Sequence, residues 1–403
     1  MAVLHVWGDA ARTATGLFWK AGWAFVLGYG ISAMIQAFVP RQRLAAALGG
    51  GGLRSVTLAS LFGAASSSCS FAALAAARSL VAKGAHFVAA VAFMFASTNL
   101  VVELGILIVI FLGWEFLAAE LVGGVMLIAV SSLLLRRLVP QAWFDAARKR
   151  VEAHGAEEQG DFDWRERLRS REGWRLVGRS FRGDWAMVWE EILIGFTVAG
   201  FMAAAVPASF WEALFLRGDG GWAVALQNAL VAPLVAAATF IGSMGNIPLA
   251  TVLHANGVLF AGIMAFIYSD LMVPPLVAIN ARYYGRRLAL TIAGVMYASI
   301  VITALAMDGA FKALGVTPDS SRRVEDVVRF AWDYTTFLNL AFVAVAAALV
   351  LLGRRSRDHH GMHHGHDHGH DHGDDGGPGL KRVAALTCAA LLAGGWILVA
   401  AGG

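Results

Sequence analysis

The chain has 403 residues, of which 58% are hydrophobic and only 15% charged, and its mean hydropathy is +0.63. A soluble domain is about 45–50% apolar and about 25% charged, so this balance excludes a soluble globular protein and points to an integral membrane protein. The net charge of +4 is too modest to suggest a nucleic-acid partner, and the two cysteines, Cys69 and Cys388, are too far apart for a CxxC site or a disulfide framework.

Apolar runs long enough to cross the bilayer, about 20 residues each, fall at 14–39, 86–112, 115–138, 185–206, 258–280, 287–307, 329–352 and 383–401. The first has no small-residue cleavage site after it and reads as a retained span. Two further stretches, 44–84 and 222–257, are apolar but broken by glycine and polar residues. The fold class expected is therefore an all-α polytopic membrane protein with about eight full transmembrane helices plus two re-entrant or broken-helix hairpins. Four regions follow: 1–138 with hairpin 44–84, a basic loop 139–183, 184–310 with hairpin 222–257, and a C-terminal helix pair 311–403 holding a His-rich loop 357–380.

Lys and Arg accumulate in cytoplasmic loops, and Arg136 to Arg182 holds a dense run of them, including Arg148, Lys149, Arg150, Arg165, Arg167, Arg169 and Arg171. With that loop inside, counting spans makes 44–84 begin and end inside and 222–257 begin and end outside. Both termini fall outside, and the membrane is expected to be the inner membrane of a bacterium. Sliding the first half by 173 positions pairs Ser70 with Ser243, Ala77 with Ala250, Leu80 with Leu253, Gly84 with Gly257 and Phe87 with Phe260. Opposed repeats with discontinuous helices near the midplane are a transporter architecture, so an inverted repeat is expected.

The run Ser66, Ser67, Ser68, Cys69, Ser70 precedes the helix-forming stretch "FAALAAARSL", and "GSMGNIPLATVLHANG" offers Ser243 or Asn246 in the same place. Both read as N-caps of short helices aimed at the membrane interior. Non-helical backbone at that depth must be buried in protein or line a wet cavity. Ser97, Thr98 and Asn99, and Ser269 with Asp270, sit at the centres of the spans that follow, and helical spacing puts Glu103 on the face of Asn99. All twelve residues from Ser66 to Ser70, Ser97 to Asn99, and Ser243, Asn246, Ser269 and Asp270 are candidate substrate ligands. Intramembrane acids are expensive and usually functional, which makes Glu103 and Asp270 the candidates for proton coupling.

The stretches "GAASSSCSFAALAAARSLVAKGAHFVAAVAFMFASTNLVVELG" and "GSMGNIPLATVLHANGVLFAGIMAFIYSDLMVPPLVAINARYYG" resemble the YraQ-like predicted permeases, the broad family that includes the ArsP organoarsenical efflux permeases. The resemblance spans most of residues 10–310 and implies a polytopic efflux permease. In the ArsP branch a Cys-Ser-Cys run is implied to receive trivalent arsenic. Ser67, Ser68 and Cys69 stand there in this chain, so one thiol of the pair is missing, and the permease class carries over without the arsenical.

The segment "RDHHGMHHGHDHGHDHGDDGG" holds eight of the twelve histidines: His359, His360, His363, His364, His366, His368, His370 and His372. It is too polar and glycine-rich to pack a core, and imidazole suits Zn, Ni, Co or Cu, so it is a candidate cytoplasmic metal collector; no cofactor is otherwise required. No P-loop, kinase or hydrolase signature occurs, which argues against an enzyme. The function expected is secondary export of a small solute through a midplane site. The alternatives are export of a divalent transition-metal ion fed by the His-rich loop, or a membrane sensor or scaffold without transport. The expected partners are the lipid bilayer and a small-molecule or ion substrate, and the oligomeric state is left open.

Overall fold

A computed structural model describes residues 2–38, 48–66, 70–152, 164–216, 221–239, 242–318, 332–354 and 379–401. Among them every regular element is helical, as expected where each backbone polar group must be satisfied within its own segment. Among the described residues seven helices are long and apolar enough to cross a membrane, and eight spans result if one bent pair counts as one. The chain is a multi-pass membrane protein of the all-α class.

The chain divides into two compact units. Unit 1 takes Met1–Val39, Asp163–Ala205 and Phe330–Gly403. Its helices are α1 (Ala2–Phe38), α8 (Trp164–Arg169), α9 (Arg171–Ala205), α16 (Tyr334–Arg354) and α17 (Leu380–Ala400). Hydrocarbon gives no hydrophobic reward for helix association, so backbones approach closely at small residues. A Cβ on Gly200 of α9 would lie 2.6 Å from the Ala10 carbonyl of α1, and one on Gly178 would lie 2.6 Å from the Gly353 nitrogen of α16. The ion pairs Lys20–Asp333 (2.6 Å) and Lys381–Glu191 (2.7 Å) tie α1 to the start of α16 and α17 to α9.

Unit 2 takes Pro40–Phe162 and Val206–Arg329 and holds two sets of helices. The first is α2 (Leu53–Ser66), α3 (Ser70–Ala82), α4 (Phe87–Asn99), α5 (Val102–Phe111) and α6 (Trp114–Leu138), followed by the surface helix α7 (Gln141–Glu152). After the short α10 (Ala208–Leu214), the second is α11 (Trp222–Thr239), α12 (Ser243–Ala255), α13 (Phe260–Ile267), a 3-10 turn (Asp270–Met272), α14 (Pro274–Tyr284) and α15 (Arg286–Leu314). The 173-residue offset seen in the residues recurs in these boundaries: α3 and α12 are each 13 residues long, and α4 and α13 begin at Phe87 and Phe260. Packing follows the same correspondence. α2 lies on α4 as α11 lies on α13, and α3 touches α14 as α12 touches α5, so each short helix reaches across to the other set.

Two expected full spans are interrupted. The run 86–112 is α4 and α5, bent by 41° at Leu100–Val101. The run 258–280 breaks between Tyr268 and Val273, where Pro274 opens α14; Pro at the start of a helix and the restriction it puts on the residue before it explain the stop. The helix of 222–239 meets the span criterion by itself. The basic stretch 139–183 is not a plain loop, since α7, α8 and the first turns of α9 occupy its described part.

Candidate membrane-interior site

The interruptions bring side-chain oxygens together in unit 2. Ser70, at the first turn of α3, donates from Oγ to Asp270 Oδ2 at 3.5 Å, and the Thr98 side chain is also within hydrogen-bonding reach of Asp270. Asn99 joins through Nδ2, which donates to Thr98 Oγ1 at 3.3 Å. Ser70, Thr98, Asn99 and Asp270 are 2%, 1%, 2% and 0% exposed. The carboxylate also accepts from the Leu271 backbone N–H and its own, a local turn that the 3-10 geometry provides.

One acid of this cluster is absent from the candidates named above. Glu120, on α6, is 1% exposed and close enough to Asp270 for their charges to interact. Tyr268 fixes the approach of the two elements: its hydroxyl donates to the Ala119 carbonyl at 2.9 Å, and a Cβ on Gly123 would overlap that hydroxyl. The signal lay in "WEFLAAELVGGVMLIAV", an acid inside an apolar run. The rule that singled out Glu103 and Asp270 applies equally to Glu120, which its nearness to the end of the run disguised.

Other candidates take different places. Ser97 Oγ donates to the Met94 carbonyl at 3.0 Å, and Ser269 Oγ donates to the Ala265 carbonyl, so both hydroxyls turn back onto their own helices. Glu103 is buried in the first turn of α5. The helix stops between it and Asn99, so the i, i+4 relation does not apply.

The N-cap expectation is corrected for the second short helix. Gly242, extended at φ −77° and ψ 175°, is the N-cap of α12, and no side chain caps that end. Ser243 is already helical, and Asn246 lies a turn in, its backbone N–H bonded to the Gly242 carbonyl, too deep to reach the free amides. Its side-chain Nδ2 and Oδ1 have no partner although the residue is 1% exposed. Ser66 ends α2, with Oγ donating back to the Gly63 carbonyl at 3.0 Å. Ser67, Ser68 and Cys69 lie outside the described residues, as do His359, His360, His363, His364, His366, His368, His370 and His372. Among the described residues no group of three or more His, Cys, Asp or Glu is arranged to hold a metal ion.

A buried carboxyl at the break of one span, beside the hydroxyl and amide that end the helix before the break of the other and within electrostatic reach of Glu120 on α6, can take a cation or hydrogen-bond a polar solute. Comparison with known proteins agrees with a transport role. Residues 6–309 match the ArsP_1 family model, described as a predicted permease. The chain is 40% identical over 326 residues to "Putative permease Rv2963" of Mycobacterium tuberculosis (strain ATCC 25618 / H37Rv), covering 78% of this chain and 80% of that one. It is 26% identical over 306 residues to UPF0718 protein YraQ of Escherichia coli (strain K12), covering 74% and 81%. With three quarters of its length under one family model, and its interrupted spans and buried polar cluster inside that region, the chain belongs to the ArsP_1 family of predicted permeases.

Proposed function

We propose that the chain is a secondary permease that exports a small solute from the cytoplasm, by alternating access around the cluster of Ser70, Thr98, Asn99 and Asp270. The observation that carries this reading is the concentration of fully buried polar side chains at the breaks of two otherwise apolar spans, a placement that hydrocarbon makes costly unless a pathway uses it. The two helix sets are oppositely oriented in the membrane, and the basic segment 139–183 faces the cytoplasm of a bacterial inner membrane. Ser243 and Asn246 line the same pathway from the second short helix, with Asn246 supplying an unsatisfied amide.

The test is flux in everted membrane vesicles, screening small anions, metalloid species and divalent metal ions, with the wild type against Asp270→Asn. The variant is expected to lose at least tenfold in uptake of whichever solute the wild type moves, about 1.4 kcal/mol or more in free energy; wild-type flux in the variant would remove Asp270 from the pathway. The eight histidines of 357–380 favour a second reading, export of Zn, Ni, Co or Cu ions. Deleting 358–376 separates the two, because a metal exporter fed by the tract loses metal tolerance and a permease for another solute does not. A scaffold without transport moves nothing in any arm.

A further inference from the structure

We infer that Glu120 and Asp270 form one proton-binding pair, the site through which the permease takes up and releases its coupling ion. The inference rests on the permease reading and deepens it by naming the ion and the second residue that carries it.

Geometry supplies the argument. Tyr268 is bonded to Ala119 and seated on Gly123, so residues on either side of Glu120 hold the segment that carries Asp270. Both oxygens of Glu120 and Oδ1 of Asp270 are buried without a hydrogen-bond partner, as is Oδ1 of the neighbouring Asn99. Neither carboxyl forms an ion pair among the described residues. Two buried carboxylates with no counter-charge are costly to keep ionised, and the charge of each disfavours that of the other. A proton taken up by either carboxyl removes the like-charge repulsion and lowers the cost of keeping the pair buried.

The surroundings leave few other titratable groups to answer for. α4, α11 and α13 contain no ionisable side chain. α15 carries Arg286 and Arg287 in its first turn and the ion pair Asp308–Lys312 near its end, with Tyr297 between, bonded to the Leu230 carbonyl. α14 carries Arg282, Tyr283 and Tyr284, α3 carries Arg78, which lies over the Tyr283 ring, and α5 carries Glu103. α12 carries His254, whose ring packs edge-on against Phe116, one turn from Glu120 on α6, and the Tyr268 hydroxyl is bonded to the Ala119 carbonyl beside Glu120. The remaining partners of Asp270 are the uncharged hydroxyls of Ser70 and Thr98 and the backbone N–H groups of Leu271 and Asp270 itself, none of which supplies a counter-charge.

The experiment needs no transported solute. Infrared difference spectra of the full chain in lipid, recorded between about pH 4 and about pH 9, read the carbonyl stretch of protonated carboxylic acids. A band that bleaches as pH rises is expected in the wild type, to be lost in both Glu120→Gln and Asp270→Asn, kept in Glu115→Gln, and restored in position by Glu120→Asp. Persistence of the band in Glu120→Gln overturns the pair. So does its removal by sodium chloride at constant pH, which would make the ion sodium. Circular dichroism and gel-filtration profiles of each variant show whether it has folded, and Glu120→Asp keeps the test open if Glu120→Gln does not. If no solute moves in the vesicle screen yet the band behaves as expected, the permease reading fails and the proton site stands.

Discussion

Gly123 shows how one missing side chain positions the acids. Its face of α6 is filled by the Tyr268 hydroxyl, so the tyrosine can reach the Ala119 carbonyl only while no Cβ stands in the way. Gly123→Ala is expected to displace Tyr268 and to destabilise the fold by about 1–3 kcal/mol, the usual range for overpacking. Thermal unfolding of the detergent-solubilised protein reads the loss, and an unchanged midpoint would mean that the ring moves aside freely. At this scale the sequence was half legible. Asp270 announces itself as an acid between "FIYS" and "LMVPP", whereas the contact of Glu120 with it depends on Tyr268 crossing to α6, a long-range packing event that no local spacing encodes. The serines misled for a related reason: a hydroxyl next to a helix start looks like a cap, but Ser66 closes the preceding helix and Ser70 turns to an acid 200 residues away.

Among the elements, α4 has the clearest start. His86 is its N-cap, with extended backbone and Nδ1 accepting from the Val88 N–H at 3.3 Å. Only a neutral imidazole can accept there. His86 lies in the loop before the helix, and its pKa is held below the ordinary value, first by burial and then by Arg136, with Asp145 opposing. The unfolded chain therefore binds more protons than the folded one as pH drops below about 6.5, and the stability given by the neutral cap, full above that pH, is lost as pH falls toward the lowered value. His86→Asn keeps an acceptor that does not titrate. It is expected to flatten the acid side of a plot of melting temperature against pH by an amount on the order of 1 kcal/mol; an acid limb of the same steepness would exclude His86 as its source. Helix positions were readable from hydropathy, and Pro274 marks the interruption at Tyr268–Val273, whereas the one at Leu100–Val101 was not readable, because both sides of it are apolar and the 41° bend is a matter of packing.

For the whole molecule, the two helix sets of unit 2 share boundaries and packing partners, and α1 and α9, the long helices that lead into each set, pack on one another in unit 1. α16 and α17 follow after the second set. In the proposed topology the two hairpins open to opposite faces of the membrane, so their ends are exposed on opposite sides. In a background with Cys69 and Cys388 replaced by Ser, a membrane-impermeant maleimide is expected to label Gly221→Cys in intact cells and Lys83→Cys only in everted vesicles. Labelling of both from one side would show parallel sets. The pairing at 173 residues was visible in the letters, and helix starts repeat it at α3 and α12 and at α4 and α13, although α4 runs for 13 residues and α13 for 8. The same offset leaves Ser97 at the position matching Asp270, so the two sets are alike in build and unlike in charge. An unbroken helix moves as a rod, carrying a push at one end to the other. The spans at Leu100–Val101 and Tyr268–Val273 are each a pair of arms about a joint, and Asp270 sits at the fulcrum of its own, where a change in one charge has the greatest leverage on how the arms are set.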